Sequence, residues 1–94
     1  MKIEKVMQKG CEYFGIQIEE LKDRKKTRPL SDARHMIMKI AVVRTSESKV
    51  AIGRRFNRDH STIIHAEKVV NNLCKTDQNF RETFEELDKF INRK

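Results

Sequence analysis

Residues 58 to 62 read Arg-Asp-His-Ser-Thr and stand directly in front of IIHAEKVV, a run whose apolar residues recur at helical spacing. One capping residue satisfies a helix start, yet five consecutive side chains here donate or accept hydrogen bonds. Their chemistry suits a DNA duplex. Arg58 can bind phosphate or guanine, Asp59 can accept from the cytosine amino group, and His60 can donate or accept. The hydroxyls of Ser61 and Thr62 can serve bases or phosphates, and the Thr methyl can meet that of thymine. The N–H groups of a helix start attract phosphate as well.

Other chemistries fit these residues poorly. His60 and His65 diverge by about 140° on a helix, whereas the HExxH spacing of a metal site keeps both histidines on one face. No metal site is expected. Cys11 and Cys74, the two cysteines of the chain, fall on helical apolar positions without CxxC spacing, so they are expected to be free, buried thiols. No GxxxxGK[ST] segment is present to cradle a nucleotide. The expectation is a non-enzyme with no catalytic residue and no cofactor.

The net charge of +7 is unevenly spread. Residues 1–21 hold three basic and four acidic side chains and residues 59–94 hold six and seven, so each part sums to −1. Residues 22–58 hold twelve basic and three acidic side chains, or +9, which is the electrostatic footprint of a polyanion binder. No apolar run approaches the roughly 20 residues of a membrane span, and MKIEKVMQKG lacks the apolar centre of a signal peptide. A cytoplasmic, nucleoid-associated protein is expected.

At 94 residues, with one proline and three glycines, the chain predicts a single domain of helices and short turns. Ile3, Val6, Cys11 and Phe14 share a side of a first helix that Gly15 can end. IEELK predicts a short helix before the basic loop DRKKTRPL, and Ser31 or Asp32 is the expected cap of a third helix reaching about Arg44. Apolar residues nearly encircle that helix (Ala33, Met36, Ile37, Met38, Ile40, Ala41, Val42 and Val43), so it should be the buried centre. KVAIGRRF predicts two turns of helix and FNRD a tight turn. The next helix places Ile63, Ala66, Val70, Leu73 and Cys74 on one side, with Ser61, His65 and Lys68 opposite and His60 on the flank. Asp77 caps a last helix that buries Phe80, Phe84, Leu87 and Ile91. A short helix, a tight turn and a helix with a polar first turn make a helix-turn-helix at about 48–75.

RHMIM on the central helix, IGRRF on the first helix of the pair and RDHSTIIHA on the second resemble the C-terminal DNA-binding domain of the bacterial replication initiator DnaA. Flanking helices and basic loop extend the resemblance over nearly the whole chain. It implies a compact all-α bundle of about six helices, also Trp-repressor-like, that binds double-stranded DNA at short defined boxes. Matched by motif, Asp59, His60 and Ser61 would contact bases, and Val50 a thymine methyl. Arg58, Thr62, His65, Arg34, His35 and Lys49 would contact or support the DNA backbone, and Lys26 and Arg28 match a loop that enters the minor groove. FNRDH is one residue shorter than the family's glycine-glycine turn, which predicts a slightly different presentation of the second helix. Lys49 and Val50 stand where leucine and proline are common, and Lys26 where arginine is expected.

The process implied is control of replication initiation or of transcription, with other replication or regulatory proteins as further partners. A monomer is expected. Beginning at Met1, the chain is expected to be a small free-standing protein that reuses the domain, the other reading being an excised domain. A different class also fits the charge: a helical protein-interaction module whose basic face meets an acidic partner.

Overall fold

The computed structural model describes residues 1–24 and 27–93, and among them the regular structure is six helices with no strand. The first, α1 (Ile3–Phe14), buries Ile3, Val6, Met7, Gly10 and Cys11 along one side. Gly15 ends it at φ 68°, a left-handed geometry that lets the Ile16 N–H reach the Cys11 carbonyl at 3.0 Å. Phe14 is only half-buried at this end. A short α2 (Ile18–Lys22) follows, its start closed by the Gln17 N–H donating to Glu20 Oε1 at 3.1 Å.

The central helix, α3 (Leu30–Arg44), begins earlier than its capping residues predict. Neither Ser31 nor Asp32 caps it. Pro29 occupies the cap position, where its missing N–H costs nothing, and the Ser31 N–H donates to the Thr27 carbonyl at 2.9 Å. Asp32 lies in the first turn, and its carboxylate accepts from Arg28 at 2.8 Å. Ala33, Arg34, Met36, Ile37, Met38, Ile40 and Ala41 are buried, and α1, α4 and α5 all pack on this helix. Val43 departs from the expected ring of buried residues; it is exposed on the far side of the last turn, where no helix covers it.

Ser48 caps α4 (Lys49–Arg55) by accepting from the Ala51 N–H at 3.1 Å. Ile52 and Phe56 anchor α4 in the core, both fully buried. Asn57, at φ 59°, supplies the positive φ that stops the helix, and the Arg58 N–H closes the turn on the Gly53 carbonyl at 2.8 Å. Gly53 faces that turn so closely that a Cβ would sit 2.7 Å from the Arg58 carbonyl oxygen and 3.0 Å from that of Asp59. A side chain there would push the turn outward.

Helix α5 (His60–Thr76) buries Ile63, Ala66 and Val70 against α3, with Leu73 and Cys74 half-buried. Asp77 caps α6 (Gln78–Ile91) by accepting from the Phe80 N–H at 3.1 Å, and Phe80, Leu87 and Ile91 complete the core with Phe84 packed beside them. Both cysteines are free thiols, Cys11 buried and Cys74 half-buried. Burial pushes the Cys11 thiol up to about 11, so it is a packing residue and not a nucleophile at neutral pH.

Candidate nucleic-acid interface

The start of α5 stands on the surface because its packing face begins only at Ile63. Asp59, His60 and Ser61 are therefore exposed. Asp59 is the N-cap: its Oδ1 accepts from the Ser61 N–H at 2.9 Å, from the Thr62 N–H at 3.3 Å and from the Ser61 hydroxyl. The Ser61 hydroxyl bond, then the Thr62 N–H, hold this carboxyl below the usual carboxylate range. The pentad thus builds its own helix start and still presents His60 and Ser61 outward.

Beside it, a cleft of about 520 Å³ separates the beginnings of α3 and α5. Arg34, His35, Arg58, Ser61, Thr62 and His65 line it, together with Arg24, Ser31 and Met38. Arg34 is only 5% exposed although charged, and its Nη2 donates to the Glu20 carbonyl at 3.2 Å. Its Nε is buried without a hydrogen-bond partner, as is Nδ1 of His35. Arg58 donates from Nη1 to the carbonyls of Phe56 at 2.9 Å and Lys22 at 3.1 Å, and from Nη2 to that of Asp23. It thereby ties the helix-turn-helix turn to the end of α2.

These guanidinium groups feel one another. Burial first and Arg58 next lower the proton affinity of Arg34, and burial followed by Arg24 does the same to Arg58, with Asp23 acting against both effects. Both arginines remain charged at any physiological pH, so the lowering reports a charge held out of water first and crowded by a second cation next. An anion in the cleft would relieve it. Burial also pushes the His35 imidazole below its ordinary value, followed by repulsion from His65, while Asp32 opposes and Arg34 adds to the lowering.

The other residues singled out in the sequence lie elsewhere. Lys49 and Val50 are exposed at the start of α4, Lys49 paired with Glu67 at 2.8 Å. Arg28 lines a separate recess with Phe14, Pro29, Asp32 and Phe80, where it pairs with Asp32 at 2.8 Å. Lys26 lies outside the described residues. Sequence reasoning does not single out Arg24 or Ser31 for the site, and the one signal for Arg24 is its place in the basic block. Among the described residues, no three His, Cys, Asp or Glu side chains gather as a metal site, and no helix is long and apolar enough to cross a membrane.

A bundle that exposes the first turn of the second helix of a helix-turn-helix beside a cationic cleft has the form of a nucleic-acid-binding domain. Residues 3–70 match the family model described as the bacterial dnaA protein helix-turn-helix, and the chain belongs to this family. It is 34% identical over 86 residues to the chromosomal replication initiator protein DnaA of Caldanaerobacter subterraneus subsp. tengcongensis, covering 92% of this chain and 19% of that protein. With the protein of the same name from Wolbachia pipientis wMel it shares 38% identity over 90 residues, covering 95% of this chain and 20% of the relative. The chain spans about one fifth of the length of these curated relatives.

Proposed function

We propose that this chain binds double-stranded DNA in the control of replication initiation, with the first turn of α5 in the major groove and the α3–α5 cleft on the phosphate backbone. The observation that carries this reading is the adjacency of the exposed Asp59, His60 and Ser61 to a cleft holding Arg24, Arg34 and Arg58. Membership of the family and the likeness to replication initiators support it. Asp59, His60 and Ser61 take the base edges, and Val50 at the neighbouring helix start meets a thymine methyl. Arg34, His35, Arg58, Thr62 and His65 hold phosphates, and further out Lys49 and Arg28 do so by exchanging their carboxylate partners, Glu67 and Asp32, for phosphate. The target is a short defined box, and the protein works in the cytoplasm at the nucleoid. A role in transcription uses the same surface.

The test begins with selection of bound sequences from a random duplex pool. His60→Ala is then titrated against the selected site and a random duplex at one salt concentration. Discrimination is expected to fall by about 1–3 kcal/mol, the usual worth of a good base contact, with non-specific affinity nearly unchanged. Equal losses on both duplexes would remove His60 from base readout. Duplex binding that ignores salt would overturn the nucleic-acid reading, and selection of an acidic protein over DNA would favour the protein-interaction module instead.

A further inference from the structure

His35 and His65 are brought together by the packing of α3 on α5, their rings edge to face with centroids 5.8 Å apart and planes at 80°. Both line the cationic cleft. His65 is exposed, whereas His35 is half-buried and its Nδ1 is enclosed without a partner. We propose that these two imidazoles form a proton-linked grip on one phosphodiester of bound DNA, so that the protein holds duplex more tightly as the pH falls through the neutral range. The inference rests on the reading of the cleft as the phosphate-binding part of a DNA interface.

The surroundings of His35 set the sign. Arg34 and Asp32 face it from α3 and His65 from α5, with Arg58 of the turn and Arg24 of the segment after α2 on the same cleft. Farther along the two helices, Lys39 and Glu67 approach to 3.7 Å. Asp32, the acid that favours a charged His35, is itself bound to Arg28. In the free protein, burial and then the repulsion of His65 keep His35 neutral at neutral pH. A phosphodiester carries one negative charge throughout this range. Seated in the cleft against both rings, it supplies the counter-charge that the half-buried His35 imidazolium lacks, so a proton taken from solvent accompanies binding.

The free chain should respond to pH in the opposite sense. A histidine whose folded value lies below its unfolded one, ordinarily 6.5, contributes stability that is present above pH 6.5 and lost as the pH falls through the folded value. Acidification therefore loosens the free fold while it tightens the complex. Few other groups in the chain titrate here, since it has three histidines in all.

The experiment titrates the chain with a duplex lacking terminal phosphates, from pH 8 to pH 6 at fixed ionic strength. Affinity is expected to rise by up to about tenfold per pH unit for each proton taken up. His35→Gln, which keeps an amide in place of the ring, should flatten the rise and remove the acid sensitivity of thermal unfolding in the free chain. His65→Gln, on the surface, should reduce the rise without disturbing the fold. His60→Gln should keep the slope, whatever it does to affinity. Three results overturn the proton-linked grip and leave the DNA reading standing: a pH-independent affinity, a slope abolished by His60→Gln alone, or a free His35→Gln chain as acid-sensitive as the unsubstituted one. Failure to bind any duplex at any pH overturns both.

Discussion

The arginines of the cleft and the cations around the rest of the surface are held in different ways. Arg34 and Arg58 donate to backbone carbonyls of Glu20, Lys22, Asp23 and Phe56. Elsewhere Arg44 meets Asp88 at 2.7 Å, Arg55 meets Glu4 at 3.2 Å, and Lys49 meets Glu67 at 2.8 Å. A carbonyl dipole orients a guanidinium without cancelling its charge, whereas a carboxylate does both. The basic block of residues 22–58 is thus divided by the fold: Arg44, Lys49 and Arg55 are paired with carboxylates at the periphery, and Arg24, Arg34 and Arg58 line the cleft where α5 begins. Position along the chain does not reveal that division.

The largest effect expected from breaking the cleft comes through its backbone. Gly53→Ala places a methyl 2.7 Å from the Arg58 carbonyl oxygen, a backbone atom that cannot swing aside, and so moves the turn that carries Arg58 and Asp59. We expect a loss of about 1–3 kcal/mol in unfolding free energy, measured by chemical denaturation, together with weaker DNA binding. Unchanged stability would mean that the turn accommodates a side chain and does not hold the cleft rigidly.

A smaller and more selective loss is expected for Arg58→Met. Removing one carbonyl-anchored cation should weaken all duplexes by about tenfold, the worth of a charge-assisted hydrogen bond. The slope of log affinity against log salt should also flatten by about 0.9. An unaltered slope would make Arg58 a brace between α2 and the turn with no phosphate of its own.

The smallest effect is expected at a carboxylate-paired cation. Arg44→Gln removes the bond to Asp88 and lowers stability by less than about 1 kcal/mol, as for other exposed pairs. DNA affinity at physiological salt should stay within about twofold, because this charge is already matched and screened. A loss as large as that of Arg58→Met would erase the distinction between the two kinds of cation.

Much of the fold is legible in the sequence because local rules and packing agree. The positive φ at Gly15, the cap at Asp77, and the buried sides of α1, α5 and α6 follow from residue type and spacing. The start of α3 is not legible in this way, because two good capping residues follow Pro29 and the chain uses the proline itself. Asp32, not needed as a cap, pairs with Arg28. Val43 escapes the same rules because an apolar residue near a helix end carries no mark of whether another helix reaches that far.

The site divides along the same line. RDHST, the basic block and the apolar spacing are properties of adjacent residues, and they determined that a helix-turn-helix whose second helix has a polar first turn exists here. The capping of α5 by Asp59 is local in the same way, since its carboxylate needs only N–H groups two and three positions ahead. Only the tertiary structure decided that Arg34 is buried against the Glu20 carbonyl and that Arg58 reaches back to residues 35 and 36 positions away. It alone set His35 against His65. Those contacts depend on how α2, α3 and α5 lie across one another, and that arrangement follows from burying Leu21, Ile37, Met38 and Ile63 in a common core, not from any local pattern of charge.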